Sequence, residues 1–399
     1  MTTWHVLDAR SIWIKEFSAA LAQSAPVCAW TPRITWTGLF SGKETAEMLN
    51  DPQLAMRTFP LQRGYARFPL SAAVRLGTTL TRRIERQTEE RANSPLICTT
   101  PYYAPVAERW KGPVVYYQTD LTVGYDGVNP AQVRALDERL CRRAELVCPN
   151  SDRIAGYFSE RGCPPEKLTV VPNATRESNV LPKLDRTAGP LPPDSQDLPR
   201  PIAGVIGNLA ANMDWIYLLA LVERTPEFSW LFVGPTSMPV GQQDQSAARD
   251  TLLARGGRIR FLGSRPYAAL QSYARAFDVA ILPYRKHEPT YSGSSTRFYE
   301  HLAACRPMLA TRGFAELLRK EPLLHLADTP EESAHYLVRL RENNFADGHE
   351  QARWEASRQG TWESRADALM AALYERWSPP QQAVLPQLRP LTRQFAGIR

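Results

Sequence analysis

Short, wholly apolar runs rich in β-branched and aromatic residues alternate with longer amphipathic stretches through the first 180 residues. Runs apolar at every position suit strands buried on both faces, and the stretches between them suit helices laid over a parallel sheet. The pattern predicts strands at Trp4–Leu7, Val27–Trp30, Leu96–Thr99, Val114–Gln118, Leu146–Cys148 and Leu168–Val171. Helix starts are signalled independently. Asn129 before Pro130 places a capping side chain ahead of a proline at the first helical position, and Ser151-Asp152 follows Pro149 in the same way.

Between Leu181 and Pro201 the pattern breaks at six prolines (182, 190, 192, 193, 199 and 201) mixed with Asp, Ser and Gly, the composition of a linker. The alternation then restarts. Strands are expected at Ala203–Ile206, Trp230–Val233, Ile259–Leu262, Val279–Leu282 and Met308–Ala310, with helices from about Asp214, before Arg255, over Tyr267–Ala276 and from about Ser295. Thr361 to Glu375 reads as a helix with Trp362, Ala366, Leu369, Met370 and Leu373 on one face. The expected organisation is an α/β chain: a Rossmann-like domain over 1–180, a proline-rich linker over 181–201, a second Rossmann-like domain over 202–360, a helix over 361–377 packing back on the first domain, and a proline-rich basic tail over 378–399. Ligands of open α/β sheets bind beyond the carboxyl ends of the strands, so a central cleft faced by both domains is the expected site.

Composition narrows the class. The 399 residues are 43% hydrophobic and 22% charged, an ordinary globular balance. The longest apolar run, Trp215 to Val222, falls far short of the ~20 residues of a spanning helix. The start, Met1 to Asp8, lacks a basic head and an apolar signal stretch, so a cytoplasmic location is expected. Six cysteines (28, 98, 141, 148, 163 and 305) show no zinc-knuckle or redox spacing and read as reduced, buried small hydrophobes. A net charge of +7, carried by arginine more than lysine, suits phosphate recognition.

Several patterns fail on spacing. Gly38 to Lys43 has three residues between its glycines where a phosphate loop has four, and Glu44 stands where the hydroxyl should be. His287-Glu288 meets Tyr291 where a zincin needs its second histidine. No Asp-x-Asp is present to carry a divalent ion against a diphosphate, and Gly204-Val-Ile-Gly207 is not a dinucleotide fingerprint.

The stretch from Asp278 to Thr311 is different. A strand ends at Pro283-Tyr284, a loop of serine, glycine and threonine follows, and a helix starts near Ser295. Ser292, Gly293, Ser294 and Ser295 offer hydroxyl and amide donors at a helix N-terminus, Arg285, Lys286 and Arg297 add charge, and Glu300 lies one turn in, suited to vicinal hydroxyls such as those of a ribose. The same loop is equally readable as simple helix capping.

Here the chain resembles the GT-B glycosyltransferases, in particular family-4-like bacterial enzymes of the group 1 type. Arg297-Phe-Tyr-Glu300-His-Leu-Ala303 matches their Lys/Arg-x-x-Glu-Tyr/His-Leu-Ala pattern. Arg260 to Tyr267, Gly207-Asn208 with Met213-Asp214-Trp215, Pro149-Asn150-Ser151 and Val171-Pro172-Asn173 resemble further landmarks of that family in the same order. The resemblance runs from about Val114 to Trp377 and is weak before residue 95. It implies a GT-B fold with an N-terminal acceptor domain and a C-terminal nucleotide-sugar domain. Glu300 would then hold the ribose hydroxyls, while Gly207, Asn208, Arg285, Ser292, Gly293, Ser294, Ser295 and Arg297 would surround the donor diphosphate. Two departures stand out. The family usually places a second glutamate where this chain has Ser292, and the basic residue after the first glycine turn is missing from Asn208 to Trp215.

Asp120, at the end of the strand Val114–Gln118, stands where relatives place a catalytic or sugar-contacting His or Asp, with Asp126 in reserve; either is equally readable as a turn-capping aspartate. Asp214 is expected to cap its helix, and His5, His287, His325 and His349 to be bystanders. Arg57 to Arg91 holds eight arginines against three glutamates among apolar neighbours, a solvated helix face or a patch for anionic membrane.

The expectation is a metal-independent transferase needing no cofactor beyond its nucleoside diphosphate sugar, a UDP-sugar by preference. It would act on a saccharide or polyprenyl-linked acceptor in cell-surface polysaccharide or glycoconjugate synthesis, at the inner face of the plasma membrane, with no nucleic-acid partner. A catalytically silent nucleotide-sugar-binding scaffold and a UDP-sugar epimerase on the same fold are the alternatives.

Overall fold

The computed structural model describes residues 2–34, 53–61, 77–78, 80–82, 84–85, 94–210, 212–237 and 242–376. They divide into two compact units: one of residues up to Asn173 with Ser292–Ser294 and the chain from Trp362, the other of Ala174–Tyr291 and Ser295–Thr361.

The first unit holds a six-stranded parallel sheet in the order β3-β2-β1-β4-β5-β6. Its strands are β1 (Trp4–Leu7), β2 (Val27–Ile34), β3 (Leu54–Leu61), β4 (Leu96–Cys98), β5 (Val114–Gln118) and β6 (Leu146–Pro149). Every residue of β1, β4, β5 and β6 is buried, as covering of both sheet faces requires. The helices are α1 (Ile12–Ala22), α2 (Ala104–Ala107), α3 (Pro130–Arg143) and α4 (Asp152–Ser159). Asn129 caps α3, its side chain accepting from the amides of Ala131 (3.1 Å) and Gln132 (3.2 Å); Ser151 caps α4 through Ile154 N–H at 3.1 Å.

The second unit repeats the plan: β7 (Ile202–Ile206), β8 (Ser229–Val233), β9 (Ile259–Phe261), β10 (Val279–Leu282), β11 (Met308–Ala310) and β12 (His325–Leu326), in the order β12-β11-β10-β7-β8-β9. Counted within each unit, both sheets run 3-2-1-4-5-6, the doubly wound order of Rossmann-like domains. The helices are α5 (Trp215–Arg224), α6 (Gln243–Ala254), α7 (Leu270–Ala276), α8 (Thr296–Ala304), α9 (Pro330–Glu342) and α10 (Glu350–Gln359). Asp214 caps α5 by accepting from Tyr217 N–H at 3.0 Å, and Trp215 packs near Phe232 and Phe261. The proline-rich stretch clusters with this unit and is tied to it. Arg200 Nη1 donates to both Asp278 oxygens at 2.8 Å, and Asp194 accepts from Arg265 and from Tyr273 OH at 2.7 Å.

The last described helix, α11 (Trp362–Arg376), belongs to the first unit and packs on α1. Trp362, Ala366, Leu369, Met370 and Leu373 are its buried apolar face, each large side chain contributing roughly 1.5–3 kcal/mol by leaving water.

Three expectations shift. Leu168–Val171 makes one bridge, Leu168 to Val147, and no ladder strand. Pro172 removes a donor just beyond it, and Leu168, Thr169 and Val170 are only partly buried, while Val171 is buried. Both β3 and β12 went unanticipated: β3 carries Arg57, Thr58 and Pro60 at a sheet edge, which breaks the apolar run, and β12 is two residues long.

Candidate active site

In the second unit β7 and β10 are neighbours at the point where strand order reverses, so the crevice beyond their carboxyl ends is the natural ligand position. Gly207 follows β7 with φ +98°, and a Cβ there would lie 2.8 Å from Arg297 Nε. Glycine therefore satisfies both the left-handed turn and the close approach of the guanidinium. Arg297, from the first turn of α8, is buried. Its Nη2 donates to the Asn208 carbonyl, Nη1 lies 3.2 Å from Met213 Sδ, and the guanidinium sits 5.1 Å from the centre of the Tyr284 ring. Among the described residues no carboxylate pairs with Arg297, and its Nε has no hydrogen-bond partner. A buried cation without a counter-charge costs several kcal/mol, which an anionic ligand would offset.

Glu300, one turn further along α8, is 3% exposed. Its Oε2 accepts from Thr175 Oγ1 at 3.0 Å and Asn179 Nδ2 at 3.3 Å, and Tyr267 OH donates to Oε1. Neutral donors thus hold a buried carboxylate in one orientation. Tyr267 ends the Arg260 to Tyr267 landmark, whereas Thr175 and Asn179 carry no motif signal in the sequence. Tyr267 is itself covered by Arg176, whose guanidinium lies 4.9 Å over the ring.

The serine-rich loop is largely engaged. Residues 292–294 cluster with the first unit. Ser292 carbonyl accepts from Ser151 Oγ at 2.5 Å and its hydroxyl from Arg153 Nε at 2.9 Å; Ser294 receives Asn173 N–H at 3.0 Å and Asn173 Nδ2 at 2.8 Å. Gly293 lies buried between them. Ser295 caps α8, its Oγ accepting from Phe298 N–H at 3.3 Å and lying 2.9 Å from Tyr284 OH. The Ser295 amide, expected to face an anion, donates instead to Glu316 Oε2 at 2.7 Å, while Tyr299 OH donates to Oε1 at 2.6 Å. Glu316 comes from a 3-10 turn beyond β11, where no spacing links it to α8. Arg285 is half-buried, its amide donating to Asn212 carbonyl at 3.0 Å, and Lys286 lies over Tyr291.

In the first unit Asp120 follows β5. The carbonyl of Thr119 is pinned by the buried Asn150 side chain, and Gln118 Nε2 donates to Thr122 Oγ1 at 3.3 Å. Burial raises Asp120 to a pKa of about 6, against hydrogen bonds from Tyr125 and Thr119. Tyr125 is pushed upward in turn, by burial and by the Asp120 charge, so its phenol stays protonated as donor. Asp126 is exposed. His5 accepts from Trp30 Nε1 at 3.1 Å and is lowered to about 4 by burial, leaving it neutral.

Most of the arginine-rich segment lies outside the described residues, Arg57 and Arg82 excepted, as do Gly38 to Lys43 and the tail over 378–399. Among the described residues no three of His, Cys, Asp or Glu gather as metal ligands, and no helix is long and apolar enough to cross a membrane.

Residues 14–174 match the Glycosyl transferase 4-like domain family. No curated protein matches the chain in sequence. Among solved structures it is similar to sucrose-phosphate synthase from Thermosynechococcus elongatus, at 15% identity and a TM-score of 0.69 over 94% of this chain and 98% of that one. It is similar to Anabaena HepE in complex with UDP-glucose, at 15% identity and a TM-score of 0.62 over 100% of both chains. It is also similar to the UDP-forming α,α-trehalose-phosphate synthase of Burkholderia vietnamiensis, at 15% identity and a TM-score of 0.63 over 94% of this chain and 100% of that one. The GT-B fold expected from the motifs is confirmed.

Proposed function

We propose that this chain, whose residues 14–174 match the Glycosyl transferase 4-like domain family, is a GT-B glycosyltransferase that moves a sugar from a UDP-sugar to a saccharide or lipid-linked saccharide hydroxyl. The observation that carries this reading is Arg297, a buried guanidinium that has no counter-anion among the described residues, at the glycine turn of a doubly wound sheet. UDP is favoured as the carrier because similar solved structures hold UDP or UDP-glucose.

In this scheme Glu300 accepts from the ribose hydroxyls in the orientation that Thr175, Asn179 and Tyr267 impose. Arg297, with Gly207 and Asn208 beside it and Arg285 nearby in the chain, faces the diphosphate, on which charge grows as the sugar–phosphate bond breaks. These cations supply the stabilisation that a metal supplies in other transferases. Ser292, Gly293, Ser294 and Ser295 shape the loop rather than bind through free hydroxyls. Asp120 takes the proton of the acceptor hydroxyl. With a pKa of about 6 it is ionised at neutral pH yet more basic than an ordinary carboxylate. Docking of the arginine-rich segment to anionic lipid at the inner membrane face would suit a polyprenyl-linked acceptor in cell-surface polysaccharide synthesis.

Calorimetric titration of UDP, GDP and ADP without metal, into wild type and Glu300→Ala, tests the donor site. UDP is expected to bind the wild type and to lose ~1–3 kcal/mol of binding in the variant. Failure of every nucleotide to bind the folded wild type removes the reading. UDP binding with no turnover across a broad acceptor panel marks a silent nucleotide-sugar binder instead.

A further inference from the structure

Asp137, on α3, is a carboxylate set into the core of the first unit, 2% exposed, and the transfer proposed above does not use it. Its Oδ1 accepts from Tyr116 OH at 2.6 Å and its Oδ2 from Tyr157 OH at 2.9 Å. The Tyr157 ring is covered by Arg161, whose guanidinium lies 3.8 Å from the ring centre. From Tyr116 the contacts continue toward the end of β5. The phenol also meets Gln118 Oε1, and Gln118 Nε2 donates to Thr122 Oγ1 at 3.3 Å. Gln118 is buried, and Thr122 opens the 3-10 turn Thr122–Gly124.

The contact from Gln118 to Thr122 is a clasp across Thr119, Asp120 and Leu121. Asn150, just beyond β6, holds the same loop: its amide donates to the Gln118 carbonyl at 3.0 Å and its side chain to the Thr119 carbonyl. Asp120 is therefore carried between anchored neighbours. Protons balance along the chain in either state of Asp137. Ionised, it takes the single phenol proton of Tyr116, and the Gln118 amide presents nitrogen to the phenol and oxygen to the Thr122 hydroxyl. Protonated, it donates to Tyr116, which donates to Gln118. Burial lifts Asp137 to about 6, against the two phenols and Arg161, and Glu138 adds to the rise. Burial, then the Asp137 charge, pushes both phenols up, so they stay donors. Polar side chains in an apolar core are costly unless all are paired, and a fully paired network specifies one geometry.

We propose that Asp137 is a positioning residue for sugar transfer: through Tyr116 and Gln118 it clasps the loop that carries Asp120, an assignment that rests on Asp120 being the base of the proposed reaction. The two arms of Asp137 separate this role from plain core stability. The Tyr116 arm ends at the Asp120 loop, whereas the Tyr157 arm ends under Arg161 at the close of α4. Loss of either phenol hydroxyl removes a donor from the same buried carboxylate, but only the first loosens the clasp. An asparagine at this position supplies the donor and acceptor that the protonated acid supplies, and so keeps the clasp, while a leucine breaks it.

The test uses the full chain, with the Asp120 carboxyl NMR signal identified by its loss in Asp120→Asn and its titration midpoint followed in each variant. Tyr116→Phe keeps the ring and removes only the hydroxyl. In it the midpoint should move, and kcat for UDP release from UDP-glucose with the saccharide acceptor that wild type uses should fall roughly ten- to a hundredfold. Calorimetric UDP affinity should stay at the wild-type value. Asp137→Leu should do the same, and the double variant no more, because both cut one chain of contacts. Asp137→Asn and Tyr157→Phe should keep the wild-type midpoint and kcat, although Tyr157→Phe lowers Tm. The proposal is overturned if folded Tyr116→Phe keeps the wild-type midpoint, or keeps its kcat where Asp120→Asn has lost it. It is equally overturned if Tyr157→Phe matches Tyr116→Phe in both readouts, which marks Asp137 as a core anchor only. Full kcat in Asp120→Asn removes the base reading, and with it the link to transfer, while the midpoints, which need no turnover, still tell whether the clasp holds the loop. The near-isosteric Tyr116→Phe keeps the test decisive even where Asp137→Leu fails to fold.

Discussion

The same strand order is built twice in this chain, and the two reversal points differ in how their charges are satisfied. In the first unit, beyond β1 and β4, Asp8 is gripped by Arg10, whose Nε donates to its two oxygens at 2.8 and 2.9 Å, and by Tyr103 OH at 3.1 Å; Asp8 N–H in turn donates to Thr99 Oγ1 at 3.0 Å. In the second unit, beyond β7 and β10, Arg297 is buried with no carboxylate against it among the described residues. Topology offers a crevice at each place, but only the second leaves a charge that asks for a ligand. The first unit's reactive candidate lies one strand further along, where burial and not pairing sets the behaviour of Asp120.

The largest expected effect sharpens that division between chemistry and binding. Asp120→Asn should lower kcat by ~10²–10⁴, the usual contribution of a general base, while calorimetry shows UDP affinity unchanged. If UDP affinity falls with it, Asp120 belongs to donor binding and the division fails. Arg297→Ala should lower kcat/KM by ~10²–10³ and weaken UDP as well, since its charge faces the diphosphate in both ground and transition state.

The pH profile discriminates next. A carboxylate raised to about 6 is protonated, and useless as a base, below that value. The rate should therefore fall roughly tenfold per unit as pH drops beneath about 6, with the break missing from the residual activity of Asp120→Asn. The smallest effect on donor binding is expected at the other reversal point. Arg10→Ala leaves the 3%-exposed Asp8 side chain without its cation, so stability should fall by roughly 3–5 kcal/mol while UDP affinity of the folded protein stays within error. A loss of UDP binding there would erase the contrast between the two crevices.

Much of the architecture could be read directly because a strand covered on both faces leaves an uninterrupted apolar run, as Val114–Gln118 does. Caps were equally plain, since Asn129, Ser151 and Asp214 act on amides two or three residues away. Within the site, the Arg297-x-x-Glu300 spacing puts both charges on one stretch of α8. Their partners were silent. Thr175 and Asn179 approach Glu300 from more than a hundred residues away, and Glu316 takes the Ser295 amide through a contact that no local pattern encodes.

By itself the sequence determined where most of the strands and helices form, that the fold is doubly wound twice over, and which helix carries the paired charges. Those features arise from periodicity and from side-chain-to-amide contacts of short reach. Tertiary structure alone decided that Arg297 lacks a counter-charge among the described residues, that donors of the serine loop are already engaged, and that burial lifts Asp120. Pairing, burial and desolvation depend on what surrounds a group from every direction, and those neighbours are chosen only when distant segments pack together.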